Sequence, residues 1–317
     1  MANNTKQITL KKSRLQLFAV NFRNSWQLYV MILLPLAYLI IFHYVPLYGL
    51  QIAFKNYRPR AGIWGSQWVG WEQFEHFFQN YKWIQYVKNT LTISLYSILV
   101  GFPIPIFLAL CLHINRHGKL KKLTQNLSYL PHFISVVVMV GILNQVFSPV
   151  SGVYTTLMNL LGQPVRDIRS DPGAFYHLVV WSGVWQNMGW STIMYVAALS
   201  AVSNDLHEAA MIDGASRWKR VIHVDIPTIL PTICMMLILR FGHIMEVGFD
   251  KVYLMQYPTN LEKSEVISTY VFKNGVASGQ YSYGTAVGLM NSAITLVLVL
   301  LVNWITNKLS QGENGLF

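Results

Sequence analysis

Residues 204–227, with the sequence NDLHEAAMIDGASRWKRVIHVDIP, form a polar interruption between two long apolar runs. Asp205 and Glu208 have the spacing of a capping box, in which each side chain satisfies an unpaired backbone N–H at a helix start. Gly214 can adopt the left-handed conformation that ends such a helix after about two turns. The first half of the stretch therefore predicts a short helix closed by a glycine turn.

The second half of the stretch predicts another short helix. Ser216 can cap it, while Trp218, Val221 and Ile222 share one face. Pro227 is expected to end it, because proline cannot continue a helix without losing a hydrogen bond. Two short helices joined in this way form a rigid knob that suits docking into a groove of another protein. An amphipathic loop that packs on lipid headgroups is the alternative.

The composition places the chain in a membrane. Its 317 residues are 53% hydrophobic and only 12% charged, with a mean hydropathy of +0.36, which is too apolar for a soluble globule. The net charge of +11 does not indicate nucleic acid, because no basic stripe interleaved with exposed aromatics lies outside the apolar runs. Cys111 and Cys234 fall inside predicted spans, so neither a disulfide framework nor a metal cluster is indicated.

The apolar runs predict an all-α polytopic membrane protein. About 20 apolar residues cross a bilayer as a helix, and the runs predict six transmembrane helices at about 28–48, 90–113, 126–147, 175–201, 228–247 and 284–305. Basic residues concentrate before the first run and in the short loops that follow the second and fourth runs. The positive-inside rule then places both termini in the cytoplasm.

This layout divides the chain into four parts. They are a cytoplasmic N-terminal segment at 1–27, the first transmembrane helix with a long outer loop at 28–89, a core of five transmembrane helices at 90–309, and a cytoplasmic tail at 310–317. The polar loop at 203–227 then lies on the cytoplasmic side between the fourth and fifth helices.

The polar loop closely resembles the EAA signature of ABC importer permeases, EAA-x3-G-x9-I-x-LP. Val224 and Ile226 depart from the usual isoleucine and leucine, and both are apolar replacements. The resemblance implies the type I permease fold, and it implies that the loop inserts into a cleft of a cytoplasmic ATPase subunit. The coupling residues that it indicates are Glu208, Ala209, Ala210, Asp213, Gly214 and Pro227.

Four further stretches, at 54–69, 247–255, 267–270 and 281–289, look like the LplB-type permeases of the carbohydrate-uptake branch. This resemblance covers nearly the whole chain. It implies an importer of oligosaccharides or polysaccharide fragments in a bacterial cell membrane. The implied partners are a second homologous permease, two cytoplasmic ATPase subunits and an extracellular or periplasmic solute-binding protein. ATP and Mg²⁺ would be bound by the ATPase subunits, and no cofactor is expected in this chain.

Motifs for chemistry are missing from the sequence. The single Gly-Lys pair, Gly118-Lys119, is followed by leucine rather than serine or threonine, so no phosphate loop is present. In residues 275–279, GVASG, the serine is one position away from that of a nucleophile elbow. We therefore predict no catalytic residues, and we expect ATP to be hydrolysed elsewhere.

A sugar pathway needs flat aromatic rings that stack on pyranose faces and amides that bind hydroxyl groups. These groups are offered in the fourth predicted helix by Trp181, Trp185, Asn187 and Trp190, and in the sixth by Asn291 with Ser292. Packing between helices is the alternative role for the tryptophans.

Ionisable side chains interrupt the end of the fifth predicted helix. Arg240, His243 and Glu246 are candidates for the solute pathway, because charged groups at membrane depth usually face a cavity or another helix. An ion pair between packed helices is the alternative. His243 and Glu246 share a helical face, but a metal would need a further convergent ligand. We predict no metal site.

Three other functions compete with the ATP-driven importer. A secondary transporter needs buried acidic residues in broken helices, for which only Glu246 qualifies. A membrane-embedded enzyme of glycan or lipid metabolism needs a cluster of acids, nucleophiles or metal ligands, and the sequence marks none. A channel would conduct without ATP.

Overall fold

Long apolar runs dictate a helical structure, because backbone polar groups in a bilayer must be satisfied within their own segment. The computed structural model describes residues 14–115 and 117–309. The predicted tail at 310–317 and residues 1–13 of the predicted N-terminal segment lie outside them. The first helices are α1 (Arg14–Leu39), α2 (Val45–Leu47), α3 (Gly62–Gly65), α4 (Glu72–Gln79), α5 (Trp83–Gly101), α6 (Pro103–Ile114), α7 (Gly118–Tyr129) and α8 (Val136–Val146).

The remaining helices include very long and very short ones. They are α9 (Val153–Leu160), α10 (Pro172–Ser200), α11 (Asn204–Ile212), α12 (Arg217–Arg220), α13 (Ile226–Gly242), α14 (Phe249–Leu254), α15 (Leu261–Ser264), α16 (Ile267–Val271) and α17 (Tyr281–Leu309). Three π-helical turns and two 3₁₀ turns join several of these helices, at Ile40–Tyr44, Val221–Asp225, Phe272–Val276, Tyr48–Phe54 and Leu130–Phe133. Two strands, β1 (Lys55–Asn56) and β2 (Gln67–Trp68), pair antiparallel.

Four segments of the described chain, or five if one bent pair is counted as a single span, are long and apolar enough to cross a bilayer. The four continuous segments are Ser25–Phe54, Trp83–Ile114, Arg217–Gly242 and Tyr281–Lys308. The segments Gly118–Phe133 and Val136–Val146 qualify together as a pair bent by 101°. Helix α10 has 29 residues and is long enough to span, but it carries several polar side chains. The structure is consistent with the predicted six spans, which are called the first to the sixth span below.

The third span is bent where its sequence stops supporting a helix. Pro131 lies in the 3₁₀ turn, and Ile134 and Ser135 are extended. The Ser135 side chain then accepts a hydrogen bond from Val138 N and caps α8. The predicted straight helix at 126–147 is therefore wrong in shape, because a proline followed by a serine cap separates two helices.

The last turns of the first span pack on the rest of the described chain. Met31 and Leu34 are 72% and 76% exposed. In contrast, Ala53 is fully buried and contacts Phe74 and Ala286. Most of the first span therefore leaves its apolar side chains free to contact lipid or another protein.

Helix α10 lies at the centre of the fold and packs against α5, α6, α7 and α13. Its Thr192 hydroxyl donates hydrogen bonds to the carbonyl of Pro105 and to its own helix at Met188. Gly189 lies against the backbone of Ser128, where a Cβ atom would be only 2.0 Å from the Ser128 carbonyl oxygen. The absence of a side chain at Gly189 therefore permits the close contact between α10 and α7.

Candidate functional site

The N-cap of helix α11 lies two residues earlier than the sequence predicts, at Ser203 rather than Asp205. The Ser203 side chain accepts the hydrogen bond from Asp205 N at 3.2 Å and is the N-cap. Asp205 lies in the first turn of the helix, where the positive end of the helix dipole stabilises its negative carboxylate. The predicted capping box of Asp205 and Glu208 is wrong, because both residues lie inside the helix.

The predicted glycine turn is confirmed. Gly214 has a φ of +75°, and it closes α11 in a Schellman motif. Ala215 N donates to the Ala210 carbonyl at 2.9 Å, and Gly214 N donates to the Met211 carbonyl at 3.1 Å. The Ala210 carbonyl thus takes part in the hydrogen bonds that end the helix.

The second predicted short helix is the beginning of the fifth span. Ser216 caps α12 by accepting a hydrogen bond from Lys219 N at 3.4 Å, as predicted. The prediction that Pro227 ends the helix is wrong, because Pro227 lies in the first turn of α13. The π turn at Val221–Asp225 changes the hydrogen-bond register just before this proline, so the helix continues through it. Trp218 and Ile222 are exposed, whereas Val221 is buried.

Helix α11 presents an unpartnered surface, which we call the knob surface. The helix has no buried residue, and Ile212 and Met211 are 87% and 48% exposed. Glu208 and Asp213 are exposed beside them. This mixture of apolar and acidic side chains on one short helix suits a protein partner better than solvent.

The foot of α11 is tied to two spans through one buried carboxylate. Asp225 is 1% exposed, and its Oδ1 lies 3.1 Å from His207 Nε2 in α11. His113 Nε2, at the end of α6, lies 3.7 Å from the same oxygen. Asp225 therefore brings α11 close to the ends of the second and fifth spans.

A cavity of about 600 Å³ lies between the second, third, fourth and fifth spans and α14. Five of the predicted pathway residues line it, namely Asn187, Trp190, Arg240, His243 and Glu246. Sequence reasoning did not assign several further polar lining residues, which are Gln186, Ser191, Asp250 and Lys251. The volume is typical of a site for a small ligand, and the lining is rich in polar groups.

The polar groups of the cavity are largely held in place by the protein. The Asn187 side chain donates to the Gly183 carbonyl at 3.0 Å, and its oxygen lies 3.1 Å from His132 Nδ1. The His132 ring in turn stacks on Trp190 at a centroid distance of 4.5 Å. His132 thus links Asn187 and Trp190, which both line the cavity, and this limits reorganisation when a ligand binds.

The charged side chains near the end of the fifth span do not pair as expected. His243 Nδ1 lies 3.0 Å from Glu246 Oε2, and both side chains are largely exposed. The considered pair between Arg240 and Glu246 is not formed. Arg240 is exposed and lines the cavity, so its charge remains available to a ligand.

Lys251 is the buried cation of this region. The residue is only 8% exposed, and its Nζ has no hydrogen-bond partner among the described residues. A Cβ atom on Gly183 would lie 3.7 Å from this Nζ, so the ammonium group fits against α10 where that helix has no side chain. A buried ammonium without a partner is unfavourable unless an anion approaches it.

The structure does not bring the remaining pathway candidates to the cavity. Trp181 and Trp185 are about half exposed on the outside of α10, where Trp181 donates to the Tyr96 hydroxyl at 2.8 Å. Asn291 and Ser292 lie in the sixth span and do not line the cavity, although the Asn291 side-chain oxygen is buried without a hydrogen bond.

The sequence profile of the family described as "Binding-protein-dependent transport system inner membrane component" matches residues 101–313, well over half of the chain. The chain belongs to this family. It is a multi-pass membrane protein and a transport component, and we call it the permease below.

Two curated relatives match the permease over nearly its whole length. Protein LplB of Bacillus subtilis is 39% identical over 93% of the permease and 92% of the relative. The polygalacturonan/rhamnogalacturonan transport system permease protein YteP of Bacillus subtilis is 37% identical over 98% of the permease and 96% of the relative.

One solved structure shows the same fold. A chain of the bacterial alginate ABC transporter, crystallised in complex with an alginate pentasaccharide-bound periplasmic protein, aligns with a TM-score of 0.85 at 35% identity. The match covers 93% of the permease and 98% of that chain. The predicted type I ABC permease fold is therefore confirmed.

Proposed function

We propose that the permease is one transmembrane subunit of an ATP-driven importer of oligosaccharides that carry uronic acid carboxylates. Lys251 carries this proposal, because its unpartnered ammonium group borders the cavity at the centre of the spans. Two similar proteins support the substrate class. One is YteP, which is named as a permease of polygalacturonan/rhamnogalacturonan transport. The other is a chain of an ABC transporter that imports the acidic polysaccharide alginate.

The cavity offers the groups that a charged sugar requires. Trp190 presents a flat ring, while Gln186, Asn187 and Ser191 present hydrogen-bonding groups to hydroxyls. Arg240 and Lys251 supply positive charge for a carboxylate. Trp181, Trp185 and Asn291 contact the solute only if the spans rearrange, as alternation between two open states requires.

The knob surface couples transport to ATP hydrolysis in separate ATPase subunits, which hold ATP and Mg²⁺. Glu208 and Asp213 face the ATPase, while Ala209 and Ala210 allow close approach because they are small. Gly214 fixes the turn between α11 and α12. Pro227 acts within the first turn of the fifth span, where it stiffens the junction with the π turn.

The exposed apolar surfaces match the remaining partners. A second homologous permease covers Trp181 and Trp185, and lipid covers most of the first span. The knob surface faces the cytoplasm, so both termini are also cytoplasmic, because six crossings separate them. The solute-binding protein docks at the opposite end, where the β1–β2 hairpin and α14–α16 lie.

Reconstitution in proteoliposomes tests the substrate class. The permease, a second permease, the ATPase subunits and a solute-binding protein are combined, and uptake of galacturonate oligosaccharides is compared with that of neutral oligosaccharides of equal length. We expect ATP-dependent uptake of the acidic compounds. Preferred uptake of the neutral compounds would contradict the acidic substrate, and uptake without ATP would contradict the importer in favour of a channel or secondary transporter.

The variant Lys251→Gln tests the residue that carries the proposal. We expect uptake of acidic oligosaccharides to fall about tenfold or more, because a hydrogen bond to a charged group contributes roughly 1.5–3 kcal/mol. Lys82→Gln is the matched control, since Lys82 is exposed on the outer side of α5 and does not line the cavity. An equal loss for acidic and neutral substrates, or no loss, would contradict the assigned role of Lys251.

A further inference from the structure

Three side chains that the transport mechanism does not otherwise use converge beside α11. His113 ends the second span, His207 lies in α11, and Asp225 lies in the π turn of the fifth span. One possible ligand atom from each residue lies within 4.8 Å of the other two. The three residues come from distant parts of the chain, so no local spacing in the sequence indicates the cluster.

The contacts within this cluster leave its buried atoms unsatisfied. His207 Nε2 and Asp225 Oδ1 are 3.1 Å apart, yet both atoms are buried and neither makes a hydrogen bond. Their angles are therefore unsuited to donation from one to the other. Two buried polar atoms that approach closely without bonding are expected where both point at a shared third partner.

Two of the three separations between the candidate ligand atoms fit a metal ion as that partner, and the two imidazole nitrogens lie within 4.8 Å of each other. Ligands at 2.0–2.1 Å from a tetrahedral Zn²⁺ ion are separated by roughly 3.3 Å. The observed separations of Asp225 Oδ1 from the two imidazole nitrogens are 3.1 and 3.7 Å. Two imidazoles and one carboxylate are also a common ligand set for this ion.

The cluster has room for a fourth ligand. It lines a cavity of about 290 Å³ together with Glu208, Met211 and Arg217. Glu208 is exposed at the mouth, where its carboxylate or a water molecule can complete the coordination. Arg217 and Arg220 also line the cavity and oppose a cation, but two carboxylates offset their charge.

We propose that His113, His207 and Asp225 form a binding site for a divalent transition metal ion of the Zn²⁺ class. This proposal departs from the sequence prediction of no metal site. Binding would clamp α11 to the ends of the second and fifth spans. Its effect on transport rests on the proposed function, because it assumes that α11 moves with the ATPase, whereas the binding itself does not.

Metal binding is measured on the full-length permease alone, in detergent and without a histidine tag. After chelator treatment, Zn²⁺ is titrated in competition with a coloured zinc indicator. We expect one tight site per chain in the wild type, and at least a tenfold weaker site in His207→Ala and His113→Gln. His223→Ala is the matched control and should bind like the wild type, since exposed His223 bonds only to the Lys219 carbonyl of its own helix.

A wild-type chain that binds no Zn²⁺, or histidine variants that keep the wild-type affinity, would overturn the site. Thermal unfolding guards against variants that fail to fold. Zn²⁺ should raise the melting temperature of the wild type and of His223→Ala, but not of the other two variants, because a ligand stabilises only a chain that binds it.

The clamp is tested separately in the assembled transporter. Zn²⁺ should slow substrate-stimulated ATP hydrolysis by the wild-type complex, and a chelator should restore the rate. The His207→Ala complex should not respond. Tight binding without any change in the rate would overturn the clamp and leave the metal site intact.

Discussion

Gly214→Leu tests whether the turn that closes α11 is needed for folding of the permease or for its coupling to the ATPase. Gly214 has a φ of +75°, and nothing lies within 4 Å of a Cβ atom built there. A Cβ atom at this position therefore meets no atom of the permease, and the intrinsic cost of leucine is the left-handed backbone, about 1–2 kcal/mol. The new side chain projects from the knob surface toward the ATPase. We expect the permease to fold and insert normally but to lose the ATPase subunit or its coupling.

Gly214→Asn is the matched control, because asparagine adopts the left-handed conformation more readily than leucine and is smaller. Both variants are purified with the partner subunits, and retained ATPase and substrate-stimulated hydrolysis are measured. If strain alone mattered, the effect of leucine would stay near the tenfold change that corresponds to 1.4 kcal/mol. We expect a larger loss for leucine and little loss for asparagine. A Gly214→Leu complex that assembles and imports like the wild type would refute the reasoning.

Two further predictions concern stability. Gly189→Ala should prevent stable folding or lower the melting temperature strongly, since its Cβ would overlap the Ser128 carbonyl. Gly141→Ala is the control and should be tolerated, because there is open space at its Cβ. Equal melting temperatures of the two variants would contradict the contact between α10 and α7. Ser203→Ala should weaken the start of α11 by about 1 kcal/mol, because the N-cap is lost. Hydrogen exchange at Asp205 should then accelerate, and unchanged exchange would show that Ser203 is not the cap.

The sequence indicates those parts of the fold that depend on neighbouring residues. The apolar runs, the left-handed Gly214 and the Ser216 cap are local features. The structure contains the turn and the cap, and four or five of the apolar runs form segments that are long and apolar enough to span. The N-cap of α11 was assigned wrongly because Ser203 and Asp205 are both suitable caps, and the direction of the incoming chain selects between them. The prediction that Pro227 ends the helix is also wrong, because residue spacing does not reveal the π turn that lets the helix continue.

Features that depend on contacts between distant segments were less predictable. Helix α10 has polar and apolar side chains on all sides, so its sequence does not show that Asn187 faces the cavity while Trp181 and Trp185 lie outside it. The sequence predicts that Lys251 lies in an outer loop. In the structure, α14 packs against α8, and Lys251 lies against Gly183 of α10. In the sequence Asp225 is only one position of the EAA-like stretch, and its proximity to His113 and His207 is visible only in the tertiary structure.

The central claim is that a separate ATPase drives this permease through α11, and site-specific crosslinking tests it most directly. Ile212→Cys, in a chain without Cys111 and Cys234, places a thiol at a position that is 87% exposed on the knob surface. Val150→Cys, at an 86% exposed position after the third span, is the control. We predict that the ATPase subunit crosslinks to Ile212→Cys and not to Val150→Cys. A crosslink to Val150→Cys alone would contradict the account.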